Sequence, residues 1–280
     1  MCKLIVHADD FGLSEKVNEG IWRAHTRGIL TSASIMANGA AFDHAVSICQ
    51  ATPTLDIGIH LTLVEERPVI GAAKVPSLVN SEGRFHHHAS EFSKRYLIGK
   101  ISFQEVQREL SAQIAKVTSH GIKVTHLNSH QHLHTLPKIL RIAVELARKY
   151  GIPAVRVPSG KLHISMLWKS GSITRVIHSL VLKFLCGLGD YADLLRSDYF
   201  FGFLFSGNLN KENLRKILRH LPSSGTCEVM CHPGLDDPDS HYGHWKYRWQ
   251  DELEALTDRE LPGLLEKMGI TLISYRDLAG

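Results

Sequence analysis

The chain has 280 residues, of which 44% are hydrophobic and 21% are charged, and its formal net charge is +4 at pH 7. These values are typical of an ordinary soluble globular protein, and the absence of a Lys/Arg block excludes a nucleic-acid-binding arm. No apolar run reaches the about 20 residues that span a bilayer, and we expect a cytoplasmic protein with reduced thiols and no secretory signal.

Short β-branched runs alternate with longer helical patterns along the chain. The predicted strands are residues 3–8, 31–36, 56–61, 124–128, 154–157, 199–204, 226–231 and 271–274. The predicted helices are residues 14–27, 40–50, 103–120, 137–150, 210–220 and 258–268. This alternation predicts an α/β fold of one domain over 1–280, with a parallel sheet that forms a (β/α) barrel. In such a fold, chemistry belongs at the carboxyl ends of the strands.

Two adjacent carboxylates, Asp9 and Asp10, follow the first predicted strand. Like charges raise each other's pKa, and a nearby cation would remove that penalty. Because neighbours on a strand point to opposite faces, both carboxylates serve one site only if the chain turns here, which Gly12 permits. A carboxylate pair at the entry of the helix over 14–27 is an equal alternative on these residues alone.

Histidines mark the ends of three further predicted strands. His60 ends the third predicted strand, where a histidine packed in the protein core is the commoner interpretation. Residues 126–134 read HLNSHQHLH, so that four histidines fall at alternate positions that an extended backbone directs to one side. A core cannot satisfy so many polar groups on one face, which favours a metal site or a polar active-site mouth. His232 precedes a Pro-Gly turn after the seventh strand, and a turn histidine without a role is the alternative there.

Asp and His are the ligand types of catalytic zinc sites that keep one position open for water. Such an ion lowers the pKa of bound water and polarises a carbonyl group. A second carboxylate could take the proton of that water, and a histidine could protonate a departing amine. The predicted strand ends supply each of these residue types.

Four motifs in chain order resemble those of the YdjC-like carbohydrate deacetylases. They are ADDFG at 8–12, GIH at 58–60, HLxSHxHxH at 126–134 and MCHP at 230–233. The resemblance covers nearly the whole chain and implies a seven-stranded irregular (β/α) barrel that removes acetyl groups from N-acetylated amino sugars. It implies one divalent ion, zinc, bound by Asp10, His60 and His130, with Asp9 as general base and His232 as general acid. The same ligand types also bind Mg, Mn, Co or Ni.

Other residues near the predicted site are expected to bind the substrate or to support the ligands. These are Asn128, His132, His134, Arg156 and Arg248. For Arg156 the two interpretations are a contact to sugar hydroxyls and a surface salt bridge. For Tyr247, Arg248 and Glu252 they are support of the site from a late helix and a solvated face. Residues 86–88 are three histidines that we expect in an exposed loop.

The substrate is suggested by two departures from the chitooligosaccharide deacetylases, which carry Asp in place of Asn128 and His in place of Gln131. The sequence is closer to the branch associated with hopanoid biosynthesis, HpnK. This resemblance implies an N-acetylglucosamine that is joined to a bacteriohopane polyol. The rival functions are a deacetylase of soluble chito-oligosaccharides and a non-catalytic sugar or lipid carrier.

Residues 162–205 are unusually apolar, and within 172–188 the apolar residues share one face of a helical pattern. This pattern favours a lid-like insertion or a peripheral contact with the inner face of the membrane. A helix packed on the barrel is nearly as good an interpretation. The sequence leaves the oligomeric state open, with a homodimer among the alternatives.

Overall fold

A computed structural model describes residues 1–158, 184, 191, 193–238 and 240–279. Within these residues there are eight strands. They are β1 (Cys2–Phe11), β2 (Ser32–Ile35), β3 (Asp56–Leu61), β4 (Val124–Ser129), β5 (Ala154–Val155), β6 (Tyr199–Phe201), β7 (Gly225–Cys231) and β8 (Ile270–Leu272). The strand order is β5-β4-β3-β2-β1-β7-β6, with β8 beside β1, and the strands pair in parallel. The predicted α/β class is therefore confirmed, as a curled parallel sheet that forms a half-barrel.

Helices cover this sheet. They are α1 (Glu15–Arg27), α2 (Phe42–Ala51), α3 (Ala89–Leu97), α4 (Phe103–Ser119), α5 (Pro137–Tyr150), α6 (Lys211–Arg219), α7 (Trp249–Leu256) and α8 (Leu261–Lys267). Local signals set several of their ends. Ser14 caps α1 by accepting a hydrogen bond from the Val17 backbone, and Gly151 adopts the left-handed conformation after α5. No helix in the described part of the chain is both long and apolar enough to cross a bilayer.

Strand β1 is central because both of its sides are paired. Strand β7 runs beside residues 2–8 on one side. On the other side, β8 pairs with residues 2–4 and β2 with residues 7–11. The carboxyl end of β1 therefore lies between the ends of β2 and β7, where the sequence places chemistry.

Two predictions about local structure need correction. Strand β4 ends at Ser129, and Gln131 and His132 adopt left-handed conformations with φ of 50° and 55°. The side chains after Ser129 therefore do not continue on one side of an extended strand. Helix α3 was not predicted, because residues 62–102 show no helical periodicity long enough to indicate it.

The apolar insertion predicted over 162–205 is described only in part. Its last residues belong to the fold: Tyr199–Phe201 form β6, and Phe203–Phe205 form a 3₁₀ turn with Leu204 and Phe205 buried. The helical pattern over 172–188 lies outside the described residues apart from Phe184.

Candidate metal and catalytic site

A bulge in β1 brings Asp9 and Asp10 to one site. The register between β1 and β2 shifts between Ala8 and Phe11, and Asp10 has a φ of 64°. A left-handed conformation is strained for a residue with a side chain and is often found at functional sites. The turn that both carboxylates require therefore occurs at Asp10 itself, before Gly12.

Asp10, His60 and His130 are buried, and one ligand atom of each lies within 4.8 Å of the others. Asp10 Oδ1 is 3.1 Å from His60 Nε2 and 2.9 Å from His130 Nδ1. Ligand atoms at about 2.1 Å from one ion are separated by roughly 3.0–3.4 Å, so these distances suit a shared ion. Within the described residues, the buried Asp10 Oδ2 has no hydrogen-bond donor. An unpartnered buried carboxylate oxygen is costly, and this donor set therefore fits a divalent cation.

The charges around Asp10 reinforce this assignment. Burial raises the pKa of Asp10, but His130 and His60 outweigh burial and hold it well below its usual value. Burial lowers the pKa of His130, whereas Asp10 and Glu65 raise it, to about 10. A positive charge on His130 thus balances the carboxylates, and uptake of a cation would displace its proton.

Asn128 fixes the tautomer of His60. Its Nδ2 donates to Asp9 Oδ1 over 3.1 Å, so its Oδ1 faces His60 Nδ1 at 2.8 Å. His60 Nδ1 then carries a proton, which leaves Nε2, 3.1 Å from Asp10 Oδ1, as the atom that would bind an ion. Ser34 Oγ lies 3.1 Å from the same Nδ1. Asn128 therefore connects the candidate base, Asp9, to a candidate ligand.

Arg156 holds the other side of Asp9. Its guanidinium is fully buried and donates to Asp9 Oδ2, Glu228 Oε1 and His7 Nδ1, each over 2.7 Å. Burial raises the pKa of Asp9, but Arg156 and His60 hold it well below its usual range. Arg156 is therefore neither a surface salt bridge nor a residue exposed to the substrate, and it keeps Asp9 ionised.

The same network extends into the interior of the half-barrel. His7 Nε2 lies 2.7 Å from His126 Nε2, and the His126 ring stacks on Tyr275 at 3.8 Å. The Tyr275 hydroxyl donates to Glu228 Oε2 over 2.6 Å. A side chain at Gly58 would collide with the His126 ring, whose Nε2 would lie 2.3 Å from its Cβ, so only glycine fits there. His126 is thus a packed interior histidine.

His232 lies at the end of β7 and is held by its backbone. Its amide donates to Glu252 Oε2 over 2.5 Å, and its ring packs on Tyr247 at 4.8 Å. A Cβ at Gly20 would lie 2.3 Å from Gly234 Cα, so glycines allow α1 to approach this loop closely. The His232 Nδ1 atom is buried and has no partner among the described residues.

These side chains surround a cleft of about 410 Å³. Its lining combines the candidate catalytic residues with aromatic and polar groups from several loops. It includes Asp9, His60, His88, Ala89, Ser90, His130, Gln131, His132, Phe203, Ser206, Met230, His232 and Tyr247. A group bound in this cleft could be acted on by a cation, an ionised carboxylate and an imidazole together.

The remaining predicted residues are placed differently. His132 lines the cleft with an unpartnered Nδ1 among the described residues. His134 does not, because its Nδ1 lies 2.6 Å from Ser129 Oγ and its Nε2 donates to the Arg156 carbonyl. Arg248 points away, with an exposed side chain paired to Asp251 over 3.1 Å. Glu252, by contrast, supports His232.

Sequence reasoning missed several residues of this site. Glu65 contacts His130, Ser34 contacts His60, and His88 lines the cleft from a loop that was expected to be exposed. Glu228 lies within a predicted strand, and a carboxylate in such an apolar run requires a buried cation. That signal could have predicted the buried partner Arg156.

Comparisons with known proteins give consistent results over the full chain. A profile of the YdjC-like protein family matches residues 3–267. A carbohydrate deacetylase of Brevibacillus brevis is 34% identical over 277 residues, covering 99% of both chains. A carbohydrate deacetylase of Geobacillus stearothermophilus is 32% identical and covers 98% of this chain and 96% of its own. A crystal structure of a candidate cellobiose-phosphate cleavage protein from Enterococcus faecalis V583 superposes with a TM-score of 0.80 at 32% identity, covering 99% of this chain and 98% of that one.

Proposed function

The chain belongs to the YdjC-like protein family, and we propose that it is a metal-dependent carbohydrate N-deacetylase. The observation that carries this proposal is the buried group Asp10, His60 and His130, in which Asp10 Oδ2 has no hydrogen-bond partner among the described residues. Two relatives, at 34% and 32% identity over nearly their whole length, are carbohydrate deacetylases. We propose zinc as the ion, with Mg, Mn, Co and Ni as alternatives for the same ligands.

We propose distinct roles for the residues around the cleft. Asp10, His60 and His130 would hold a divalent ion, which would supply Lewis acidity toward the acetamide carbonyl and lower the pKa of water. Asp9 is ionised and held by Arg156 and Asn128, so it can accept a proton from the attacking water without changing position. His232 lines the same cleft and would protonate the departing amine. The products are acetate and a free amino sugar.

Removal of the metal tests this proposal. Dialysis against a strong chelator should abolish the release of acetate from an N-acetylglucosamine oligomer, and one equivalent of Zn²⁺ or Co²⁺ should restore it. Acetate release and metal content by mass spectrometry are the two measurements. A protein that retains full activity without stoichiometric metal would refute metal dependence, and one that binds the metal without any acetate release would favour a non-catalytic carrier.

For the substrate, we propose an N-acetylglucosamine linked to a lipid, as in an N-acetylglucosaminyl bacteriohopane polyol. Helix α3 supports this proposal, because residues just before and within its first turn line the cleft while its other end is apolar and exposed. There Leu97 is 79% exposed and Ile98 57% exposed. Lys94 and Lys100 flank this pair, as in segments that bind the surface of an anionic membrane.

The double substitution Leu97→Ser and Ile98→Ser tests the lipid-linked substrate. We expect deacetylation of an N-acetylglucosaminyl hopanoid in anionic vesicles to be at least about 100-fold slower, because burial of two such side chains contributes about 1.5–3 kcal/mol each and every 1.4 kcal/mol is about tenfold. Turnover of a soluble chito-oligosaccharide should be unchanged. Mass spectrometry of the lipid product reports the loss of one acetyl group. Activity on the soluble substrate alone would identify the enzyme as a chito-oligosaccharide deacetylase.

A further inference from the structure

The two ring nitrogens of His130 face two different carboxylates. Its Nδ1 lies 2.9 Å from Asp10 Oδ1, and its Nε2 lies 3.2 Å from Glu65 Oε2. A histidine that binds a metal through one nitrogen commonly donates the proton of the other to a carboxylate, carbonyl or water. Because Nδ1 is the atom beside Asp10 in the candidate metal group, Nε2 is the atom left to donate.

Glu65 is held firmly where it meets His130. It has a φ of 68° and is 6% exposed, and its backbone amide donates to the His86 carbonyl over 2.9 Å. Its second carboxylate oxygen, Oε1, accepts a hydrogen bond from Trp245 Nε1 over 3.0 Å. The Trp245 ring also packs on His130, with the ring centres 5.1 Å apart. The left-handed backbone of Glu65, the hydrogen bond from its amide to His86 and the hydrogen bond from Trp245 together hold its carboxylate in one orientation.

The neighbouring residue provides an internal comparison. Glu66 Oε1 accepts a hydrogen bond from the Tyr242 hydroxyl over 2.7 Å, and its other oxygen lies 3.8 Å from Arg84 Nη2. Tyr242 and Trp245 therefore hold adjacent glutamates in the same manner. Of the two glutamates, Glu65 is the one for which the structure gives a contact with His130.

We propose that Glu65 is a positioning residue of the metal site. It accepts the Nε2 proton of His130, which directs the lone pair of Nδ1 toward the ion, and Trp245 holds Glu65 in the required orientation. This inference rests on the metal site of the proposed function, and it is independent of the substrate. Glu65 is not a member of the group Asp10, His60 and His130 and does not line the cleft.

The test measures the affinity of the purified metal-free protein for Zn²⁺ and Co²⁺, by competition with a chelator, in the absence of substrate. We expect Glu65→Ala to raise the Kd about 10–100-fold, the usual effect of losing such a partner. Glu65→Gln should cause a smaller rise, because its amide oxygen still accepts the proton. Trp245→Phe keeps the ring and removes the donor to Glu65, and a rise of about 2–10-fold is expected for one hydrogen bond.

Tyr242→Phe is the matched control, because it removes one hydrogen bond to the adjacent Glu66, and its Kd should equal that of the intact protein. The visible spectrum of bound Co²⁺ gives a second readout, since a changed histidine orientation alters the ligand field, whereas loss of stability alone does not.

A Kd for Glu65→Ala within twofold of the intact protein, or an equal loss of metal affinity in Tyr242→Phe, would overturn the inference. If Glu65→Ala does not fold, Glu65→Gln and Trp245→Phe decide the question. If the intact protein binds Zn²⁺ and Co²⁺ but releases no acetate, the proposed function is refuted, whereas the inference about Glu65 still stands.

Discussion

Arg156→Met should lower the free energy of unfolding by about 3–5 kcal/mol at pH 7, because it leaves buried carboxylates without their cation. Both partners are affected, since the guanidinium donates to Asp9 and to Glu228 over 2.7 Å each. Methionine fills much of the same volume, so the loss reports the charges more than a cavity. Urea denaturation followed by circular dichroism gives the change in free energy.

The pH dependence of this loss follows from Asp9. In the intact protein the pKa of Asp9 lies well below its ordinary value, because Arg156 and His60 outweigh burial. The stability that ionised Asp9 contributes is therefore present above the unfolded-state pKa of about 3.9 and is lost as the pH falls through the lower folded-state pKa. Without Arg156, the strongest of the interactions that lower the pKa of Asp9 is lost, and the folded-state pKa should rise.

The loss in free energy of unfolding caused by Arg156→Met should consequently shrink as the pH falls from about 7 towards about 4, because protonation neutralises the buried Asp9 carboxyl. Arg23→Met is a suitable control, because Arg23 forms a partly exposed helical pair with Glu19 over 2.7 Å. Arg23→Met should lower the free energy of unfolding by less than about 1 kcal/mol. A deficit for Arg156→Met of the same size as this control would contradict the buried-charge account.

Asp9→Asn should reduce kcat about 10²–10⁴-fold, because an amide cannot accept the proton of the attacking water. The stoichiometry of bound metal should remain unchanged, since Asp9 lies outside the ligand group Asp10, His60 and His130. The amide oxygen can still accept a hydrogen bond from Arg156, so the fold is expected to persist. Steady-state acetate release and metal analysis of the same preparation check both statements.

A substitution in an exposed carboxylate distinguishes general loss of charge from loss of the base. Asp43 lies in the first turn of α2 and is exposed, and Asp43→Asn should leave kcat within twofold of the intact enzyme. Normal turnover by Asp9→Asn would exclude Asp9 as the base. Loss of metal from that variant would instead indicate that Asp9 supports the ligands through Asn128.

The strands were predictable because short apolar runs, most of them with β-branched or aromatic residues, alternate with helical patterns along the chain. The rule that chemistry lies at the carboxyl ends of parallel strands then directed attention to His130, while the ligand role of Asp10 and the acid role of His232 came from the family resemblance. His60 was less secure, since a single histidine in an apolar run is compatible with a core position. Its place beside Asp10 depends on the pairing of β3 with β2 and of β2 with β1, which local sequence does not encode.

Other features depend on tertiary placement and leave little local signal. The left-handed conformation of Asp10 involves a single residue just after a predicted strand, and aspartate is common in many conformations. Glu65 lies in a loop without periodicity, and only the folded chain brings it to His130. Arg156 follows a short strand as an exposed arginine would, and its burial depends on Glu228 from a strand far along the sequence.

The position of β1 has a consequence for the synthesis of the protein. The ribosome makes β1 well before β7 and β8, which pair with it on opposite sides. Contacts between such distant segments form slowly, because the intervening chain must first be ordered. Asp9 and Asp10 therefore acquire their final surroundings only after β7 has been made, at a synthesis rate of about 5–20 residues per second. A truncated nascent chain that lacks β7 and β8 should contain every ligand of the metal group and still fail to assemble the site.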